Sequence, residues 1–155
     1  MMHLNSMQNA YVTRDLDKAV AQLTQTHGLR NFIYFDPDIE VKTPAGVGRA
    51  QTRVAMAWAG ATQIEIIQPV AGLVDLYQPY LAADDSMRFH HCAVRVDDWP
   101  VFCEKVARNG YTVAYASGLD GLEFMYLDAR QTLGHYVEYI WATPHWWKAM
   151  GAPGY

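Results

Sequence analysis

The sequence contains SMQNAYVTRD at residues 6–15 and, 83 residues further on, FHHCAVRVDD at residues 89–98. Each stretch has the alternating apolar residues of a strand, followed by an aspartate suited to cap a helix. A glycine that can end such a helix follows at nearly the same distance in both copies, at Gly28 and Gly110. We therefore predict two equivalent strand–helix units that arose by internal duplication.

Strand-like segments follow each predicted helix. In the first unit we predict strands at residues 31–35, 48–59 and 61–68, with a loop at 36–46 and a strand end at Pro69. In the second unit we predict strands at residues 111–116, 121–127 and 135–142. Each unit then has the order β-α-β-β-β.

These segments predict one α+β domain over residues 1–155. Module one lies at about residues 4–70 and module two at about 87–142, joined by a linker at 71–86 and followed by a tail at 143–155. A chain of 155 residues is long enough to bury a sizeable core as one domain.

The composition indicates a folded, weakly acidic protein. Apolar residues make up 51% and aromatic residues 13%, which argues against disorder. The formal charge of −4 is spread without runs and argues against a nucleic-acid partner. No apolar stretch approaches the roughly 20 residues needed to cross a bilayer. Two cysteines are too few for a disulfide scaffold and fit a reducing compartment, so we expect a cytoplasmic protein.

Polar residues at four strand positions are the candidate ligands of a metal ion. Side chains alternate along a strand, and Glu65 lies between two isoleucines that are expected to face a helix, so it faces the opposite side. The same alternation turns His91 and Glu138 away from their apolar rows, and Gln8 is equivalent to His91 in the duplication. Simple alternation also predicts that His90 points away from His91, toward the helix, in a structural role.

Other side chains are candidates to line a cavity between the units. Arg49, Arg53 and Arg95 either reach such a cavity and hold an anionic group or form salt bridges at its rim. Trp146 and Trp147 in the tail suggest a partner surface or a flap. The aromatic excess favours a pocket for an apolar or aromatic substrate, with these candidates for its wall: Tyr11, Tyr34, Tyr115, Tyr126, Tyr136, Trp58 and Trp141.

The four candidate ligands suit a divalent cation. An amide oxygen, an imidazole nitrogen and two carboxylates are the donors that hard-to-borderline ions accept, with room left for two waters in an octahedron. The two carboxylates of Glu65 and Glu138 would neutralise a doubly charged ion. Zn, Ni, Co, Mn and Fe all accept this set, so the identity of the metal stays open.

The pattern resembles the vicinal oxygen chelate superfamily, which includes glyoxalases, bleomycin resistance proteins and dioxygenases. The matching stretches are MQNAYVTRDLDKAV at 7–20, QIEIIQP at 63–69, FHHCAVRVDD at 89–98 and LGHYVEYI at 133–140. The ligand set is similar in type to those of glyoxalase I and methylmalonyl-CoA epimerase. The resemblance implies paired βαβββ modules that form a curved mixed sheet around a cavity, and a homodimer. It also implies a metal ion at four positions: Gln8, Glu65, His91 and Glu138.

Three functions remain open from the sequence. The first is a metal-dependent isomerase, epimerase or lyase that chelates neighbouring oxygens of a small enolisable hydroxy or keto substrate, with Glu138 or Glu65 as the base. The second is an extradiol-type Fe(II) dioxygenase, which is less favoured because Gln8 occupies the place of the first histidine. The third is a metal-free protein that binds a small molecule between aromatic walls, as antibiotic-resistance relatives do.

Overall fold

The computed structural model describes residue 2 and residues 4–155 of the chain. Its strands are, in chain order, β1 Ser6–Val12, β2 Ile33–Phe35, β3 Asp38–Thr43, β4 Gly46–Ala59, β5 Thr62–Gly72, β6 Arg88–Arg95, β7 Val113–Leu119, β8 Leu122–Ala129 and β9 His135–Ala142. Its helices are α1 Leu16–His27, α2 Trp99–Asn109, α3 Arg130–Leu133 and α4 Pro144–Ala149, with a 3-10 turn at Gln78–Tyr80. In this described part of the chain, no helix is long and apolar enough to cross a membrane.

The two long helices begin and end where the sequence predicts. The side chains of Asp15 and Asp98 each accept a hydrogen bond, at 3.0 Å, from the backbone N–H three residues further on. Gly28 and Gly110 follow the helices with φ of 68° and 64°, the left-handed conformation that glycine adopts without steric cost. These matched ends confirm the two equivalent strand–helix units.

The strands form one sheet that closes on itself. In its centre β1 pairs antiparallel with β6, and each is flanked by the parallel last strand of its own unit, β5 or β9. The ring continues from β9 through β8, β7 and β3 to β4, and β4 pairs with β5. The α+β fold with a curved mixed sheet around a cavity is therefore confirmed, and the ring closes within one chain.

The predicted loop at residues 36–46 is wrong, because it contains strand β3. Strands β2 and β3 pair one after the other with the same edge of β4. Proline and acidic residues favour a loop locally. Ile39 and Val41, however, pack into the buried cluster at the centre of the barrel, and this tertiary contact decides the conformation.

The predicted strand end at Pro69 is also wrong, since β5 continues to Gly72. Proline has no N–H to donate to a neighbouring strand, so it interrupts regular pairing. Opposite Pro69, the register of β4 shifts between Gln51 and Thr52. Pairing at such an irregularity tolerates the missing donor, so the strand passes through the proline.

Apolar residues on the outside of the barrel lie under the two long helices. Leu16 of α1 belongs to one buried cluster with Ala55 and Ile66. Phe102 of α2 belongs to another with Val137. Because successive strand residues face opposite sides, burying these rows under the helices turns the residues between them toward the inside of the barrel.

The packing under α1 predicts the stability of one variant. Ile66 is fully buried, so Ile66→Ala is expected to lower the free energy of unfolding by about 2–5 kcal/mol. Val70 on the same strand is 54% exposed, and Val70→Ala is the matched control with a change of less than about 0.5 kcal/mol. Denaturant titration of both variants measures the difference, and equal changes would contradict this packing.

Candidate metal centre

Four adjacent strands carry the candidate ligands on their inner face. Gln8 lies on β1, Glu65 on β5, His91 on β6 and Glu138 on β9, and all four side chains are buried. They lie on the face that strand alternation predicts. All four belong to one chain, so the site does not depend on a second copy for these residues.

Two alanines separate the candidate ligands across the sheet. Ala93 of β6 pairs with Gln8 on one side and with Glu138 on the other. Ala10 of β1 lies in the same way between the other two candidate ligands. Both alanines are fully buried. Because a methyl group fills little space, the longer side chains on either side can meet above it.

Three of the four candidate ligands converge on one point. His91 Nε2 lies 3.1 Å from Glu138 Oε2 and 3.5 Å from Glu65 Oε2. One ligand atom from each of the three lies within 4.8 Å of the other two. Glu65 Oε2 is buried, and its contact with His91 Nε2 is at the long limit of a hydrogen bond. The arrangement has the size and the donor atoms of a cation site.

Gln8 has one satisfied end and one unsatisfied end. Its Nε2 donates a hydrogen bond of 2.7 Å to Gln63 Oε1. Among the described residues its buried Oε1 has no hydrogen-bond partner, which is rare and costly for an amide oxygen. The sequence analysis missed Gln63, although a polar residue two positions before Glu65 on the same strand face was a signal for it.

The predicted orientation of His90 is wrong. The pairing of β1 with β6 moves from Ala10 opposite His91 to Tyr11 opposite Phe89, so His90 is the extra residue of a β-bulge. The bulge turns both histidine side chains into the barrel, where their Nδ1 atoms lie 2.8 Å apart. Burial, and then the neighbouring imidazole, lower the pKa of His90 well below its ordinary value, so this ring is neutral.

The buried carboxylates shift the protonation of the site. Burial alone would lower the pKa of His91, but hydrogen bonds with Glu138 and Glu65 outweigh it and raise that pKa to about 9. Burial raises the pKa of Glu138 to about 7, although His91 opposes this shift. Near neutral pH the cation-free site therefore holds a proton on His91 between two carboxyl groups.

The residues present fit a divalent cation. Gln8 Oε1 is a buried acceptor atom without a donor among the described residues, and Glu65 Oε2 has only a long contact of 3.5 Å with His91 Nε2, so a cation would give both atoms a further partner. The two carboxylates would balance its double charge. That these four residues bind a metal stays a prediction.

An apolar cavity of about 280 Å³ opens onto the two carboxylates. Its charged lining residues are all acidic: Asp36, Glu65 and Glu138. Of the aromatic candidates, Tyr115 and Tyr126 line the cavity. Sequence analysis missed other aromatic residues of the wall, which come from two strands, the segment after β5 and the tail: Phe35, Phe124, Tyr77 and Trp146.

The three candidate arginines do not line the cavity. Arg49 binds Asp38 through a hydrogen bond of 2.8 Å from Nε. Arg53 lies 3.2 Å from a carboxylate oxygen of Asp17. Arg95 stacks over the Trp147 ring at 5.1 Å from its centroid. The reading of these residues as surface pairs is therefore the correct one.

The C-terminal tail packs against its own barrel. Trp147 is 2% exposed and belongs to a buried cluster with Ala93 and Ile140, so its predicted role at a partner surface is wrong. Trp146 lines the cavity. Trp58 Nε1 donates a hydrogen bond of 2.8 Å to the backbone carbonyl of Met150, which fixes the tail on the barrel.

A family model matches the sequence over residues 7–126, and its description is Glyoxalase/Bleomycin resistance protein/Dioxygenase superfamily. The matched range contains three of the four candidate ligands and ends before Glu138. Among curated proteins no sequence match reaches significance.

Solved structures share the fold at low sequence identity. A Streptomyces coelicolor methylmalonyl-CoA epimerase in complex with 2-nitronate-propionyl-CoA is 16% identical, with a TM-score of 0.67 over 90% of this chain and 94% of that one. Methylmalonyl-CoA epimerase from Mycobacterium tuberculosis is 15% identical, with a TM-score of 0.60 over 94% of this chain and 95% of the other. A hypothetical protein from Bacillus halodurans C-125 is 15% identical, with a TM-score of 0.62 over 88% and 92%. At these identities the likeness concerns the fold alone.

The protonation of the site predicts how metal affinity depends on pH. The raised pKa of His91, about 9, means that Zn²⁺ must displace a proton at lower pH. The association constant for Zn²⁺ is expected to rise about tenfold per pH unit between about pH 7 and 8.5 and to level off above about pH 9. Competition with a chromophoric chelator measures it, with His27→Gln at the exposed end of α1 as the control. A flat profile would contradict this protonation.

Proposed function

The chain belongs to the glyoxalase/bleomycin resistance/dioxygenase superfamily, and on this premise we propose that it is a metal-dependent enzyme acting on a small enolisable hydroxy or keto compound. The reaction is an isomerisation, epimerisation or lyase reaction. It begins with transfer of a proton at the carbon next to the chelated oxygens.

One observation carries this proposal. One ligand atom each of Glu65, His91 and Glu138 lies within 4.8 Å of the other two, both carboxylates line an apolar cavity, and the buried Gln8 Oε1 has no partner among the described residues. A protein that only bound a ligand between aromatic walls would gain nothing from these buried charges, which cost stability. The metal-free binding function is therefore less well supported.

The four residues would hold the ion through Gln8 Oε1, His91 Nε2 and one oxygen each of Glu65 and Glu138. When bound, the ion supplies Lewis-acid stabilisation of an enolate oxygen. Which ion occupies the site is open among Zn, Ni, Co, Mn and Fe.

Glu138 is the proposed base. It lines the cavity, so its carboxylate lies where it can accept a proton from a bound substrate and return it. Glu65 lines the same cavity and is the second candidate. The apolar wall excludes water, so a proton on either carboxyl group stays available to the substrate carbon.

The cavity favours a neutral, apolar or aromatic substrate. Its wall is aromatic and aliphatic, and the carboxylate of Asp36 repels a negatively charged group on a substrate. The Streptomyces coelicolor epimerase binds an acyl-CoA derivative, whereas this cavity has no lysine or arginine among the described residues of its lining.

The extradiol dioxygenase alternative is less well supported. That chemistry uses two histidines and one carboxylate around ferrous iron. Gln8 stands at the first position, and the neighbouring His90 makes its hydrogen bonds to His91 and to the carbonyl of Leu76. Homodimer formation and cytoplasmic localisation stay predictions.

Hydrogen exchange tests the proposed base. The probe is α-hydroxyacetophenone, which is neutral and aromatic. Its enolisable carbon carries the hydroxyl group and is bonded to the carbonyl carbon, so the two oxygens lie on adjacent carbons. In D₂O the metal-loaded protein is expected to accelerate exchange at that carbon, and Glu138→Gln is expected to reduce the rate by about 10²–10⁴-fold. Glu104→Gln on the exposed face of α2 is the control.

Metal content is measured on the same samples, because Gln can still offer a ligand oxygen at position 138. Equal exchange by wild type and Glu138→Gln would remove Glu138 as the base, and Glu65→Gln then tests the second candidate. A wild-type protein that binds no divalent ion would contradict the proposed function as a whole.

Because the charged residues of the lining are acidic, we predict that the cavity binds a neutral ligand more tightly than a negatively charged one. In the Zn²⁺-loaded protein, benzohydroxamic acid is expected to bind at least about tenfold more tightly than 4-carboxybenzohydroxamic acid, which carries one further negative charge. Asp36→Lys is expected to narrow this ratio, and Asp97→Lys, at a highly exposed position, is the matched control. Calorimetric titration measures both ligands on wild type and on the two variants, six combinations in all, and equal affinities in wild type would contradict the neutral-substrate assignment.

A further inference from the structure

Gln8 and His91 can each bind a metal through only one end of the side chain, whereas a carboxylate can bind through either oxygen. A carboxylate has two equivalent oxygens, so turning it over changes nothing. The amide of Gln8 and the imidazole of His91 each have two unlike ends, and a protonated nitrogen cannot bind a cation. The surroundings must therefore fix which end faces the site.

The orientation of His91 follows from a backbone carbonyl. Leu76 O can only accept a hydrogen bond, so His90 Nε2, 3.1 Å away, carries the proton and donates it. His90 is fully buried among aromatic rings and contacts no carboxylate among the described residues, so a second proton on its ring would be an unpaired buried charge, and its Nδ1 keeps a lone pair. That lone pair accepts a hydrogen bond of 2.8 Å from His91 Nδ1–H. His91 Nε2 is then the end that faces Glu65 and Glu138.

The orientation of Gln8 follows in the same way from another carbonyl. Met150 O accepts a hydrogen bond of 3.3 Å from Gln63, which must therefore present its Nε2 on that side. Gln63 Oε1 then faces Gln8 and accepts from Gln8 Nε2 at 2.7 Å. The remaining end of Gln8, Oε1, is buried without a partner.

We propose that His90 and Gln63 are positioning residues. Through His90, the Leu76 carbonyl determines that His91 turns its Nε2 toward the metal site. Through Gln63, the Met150 carbonyl determines that Gln8 turns its Oε1 toward the same site. The inference rests on the proposed function, because it requires these residues to hold a cation. It also makes the tail that contains Met150 part of the construction of the site.

Paired variants separate orientation from packing. His90→Phe keeps an aromatic ring but removes the acceptor for His91, whereas His90→Asn keeps an acceptor oxygen at the δ position. Gln63→Met keeps the length of the side chain without its hydrogen bonds. Gln25→Met, at an exposed position of α1, is the control for Gln63→Met.

The first measurement is the Zn²⁺ dissociation constant of each folded variant, from competition with a chelator. His90→Phe and Gln63→Met are expected to weaken binding about 10–100-fold, whereas His90→Asn and Gln25→Met stay within about threefold of wild type. Folding is verified by near-UV circular dichroism. Wild-type affinity in both His90→Phe and Gln63→Met would overturn the inference and leave the proposed function intact.

The second measurement is ¹⁵N NMR of the histidine rings in the Zn²⁺-loaded protein. Wild type is expected to show His91 with a proton on Nδ1 and the metal on Nε2, and His90 with a proton on Nε2. The opposite ring states would overturn the inference even if Zn²⁺ binds tightly. A wild type that binds no Zn²⁺ or other divalent ion overturns the proposed function and this inference together.

Discussion

The antiparallel register of β1 and β6 is the constraint on which the site depends. In this register Gln8 lies opposite Ala93, and Ala10 lies opposite His91. Ala10 and Ala93 are themselves equivalent in the duplication, so the candidate ligand on the first strand of each unit lies opposite the alanine of the other unit. A slip of one residue would turn a whole row of side chains to the helix side and separate the ligands.

Because the barrel closes around the site, the two buried carboxylates lower the stability of the fold and attract a cation strongly. Pairing of β4 with β5 and of β3 with β7 completes the ring around the site, so Glu65 and Glu138 lose most of their water. A pair of buried carboxylates is tolerated only with compensating positive charge. A proton on His91 provides it without a cation, and a divalent ion provides more. The site therefore gives up stability for a strong preference for positive charge.

Local signals in the sequence predicted the helix ends, most strands and the inward face of Glu65, because these depend on near neighbours in the chain. Strand β3 was missed because Ile39 and Val41 are held in an extended conformation by their packing in the barrel interior, which the local sequence does not show. The bulge at His90 was missed because a bulge is defined by pairing with another strand, which alternation along one strand does not contain. The hydrogen bonds of Gln63 depend on Met150, 87 residues away, and have no local signal.

Two of the features that prediction missed, the bulge at His90 and the hydrogen bonds of Gln63, lie where the two units differ in how they orient a ligand. In the second unit the residue before the ligand is His90, and the bulge turns it inward to bind His91. The equivalent residue of the first unit is Met7, which has no N–H in its side chain and packs in an apolar cluster. Gln8 therefore obtains its orientation from β5, through Gln63. The position that corresponds to Gln63 in the second unit is Tyr136, whose ring packs against His90 at 5.1 Å and supports the other solution. The two units therefore share the same backbone arrangement but use different hydrogen bonds. Those of the first unit orient the amide of Gln8, and those of the second orient the imidazole of His91.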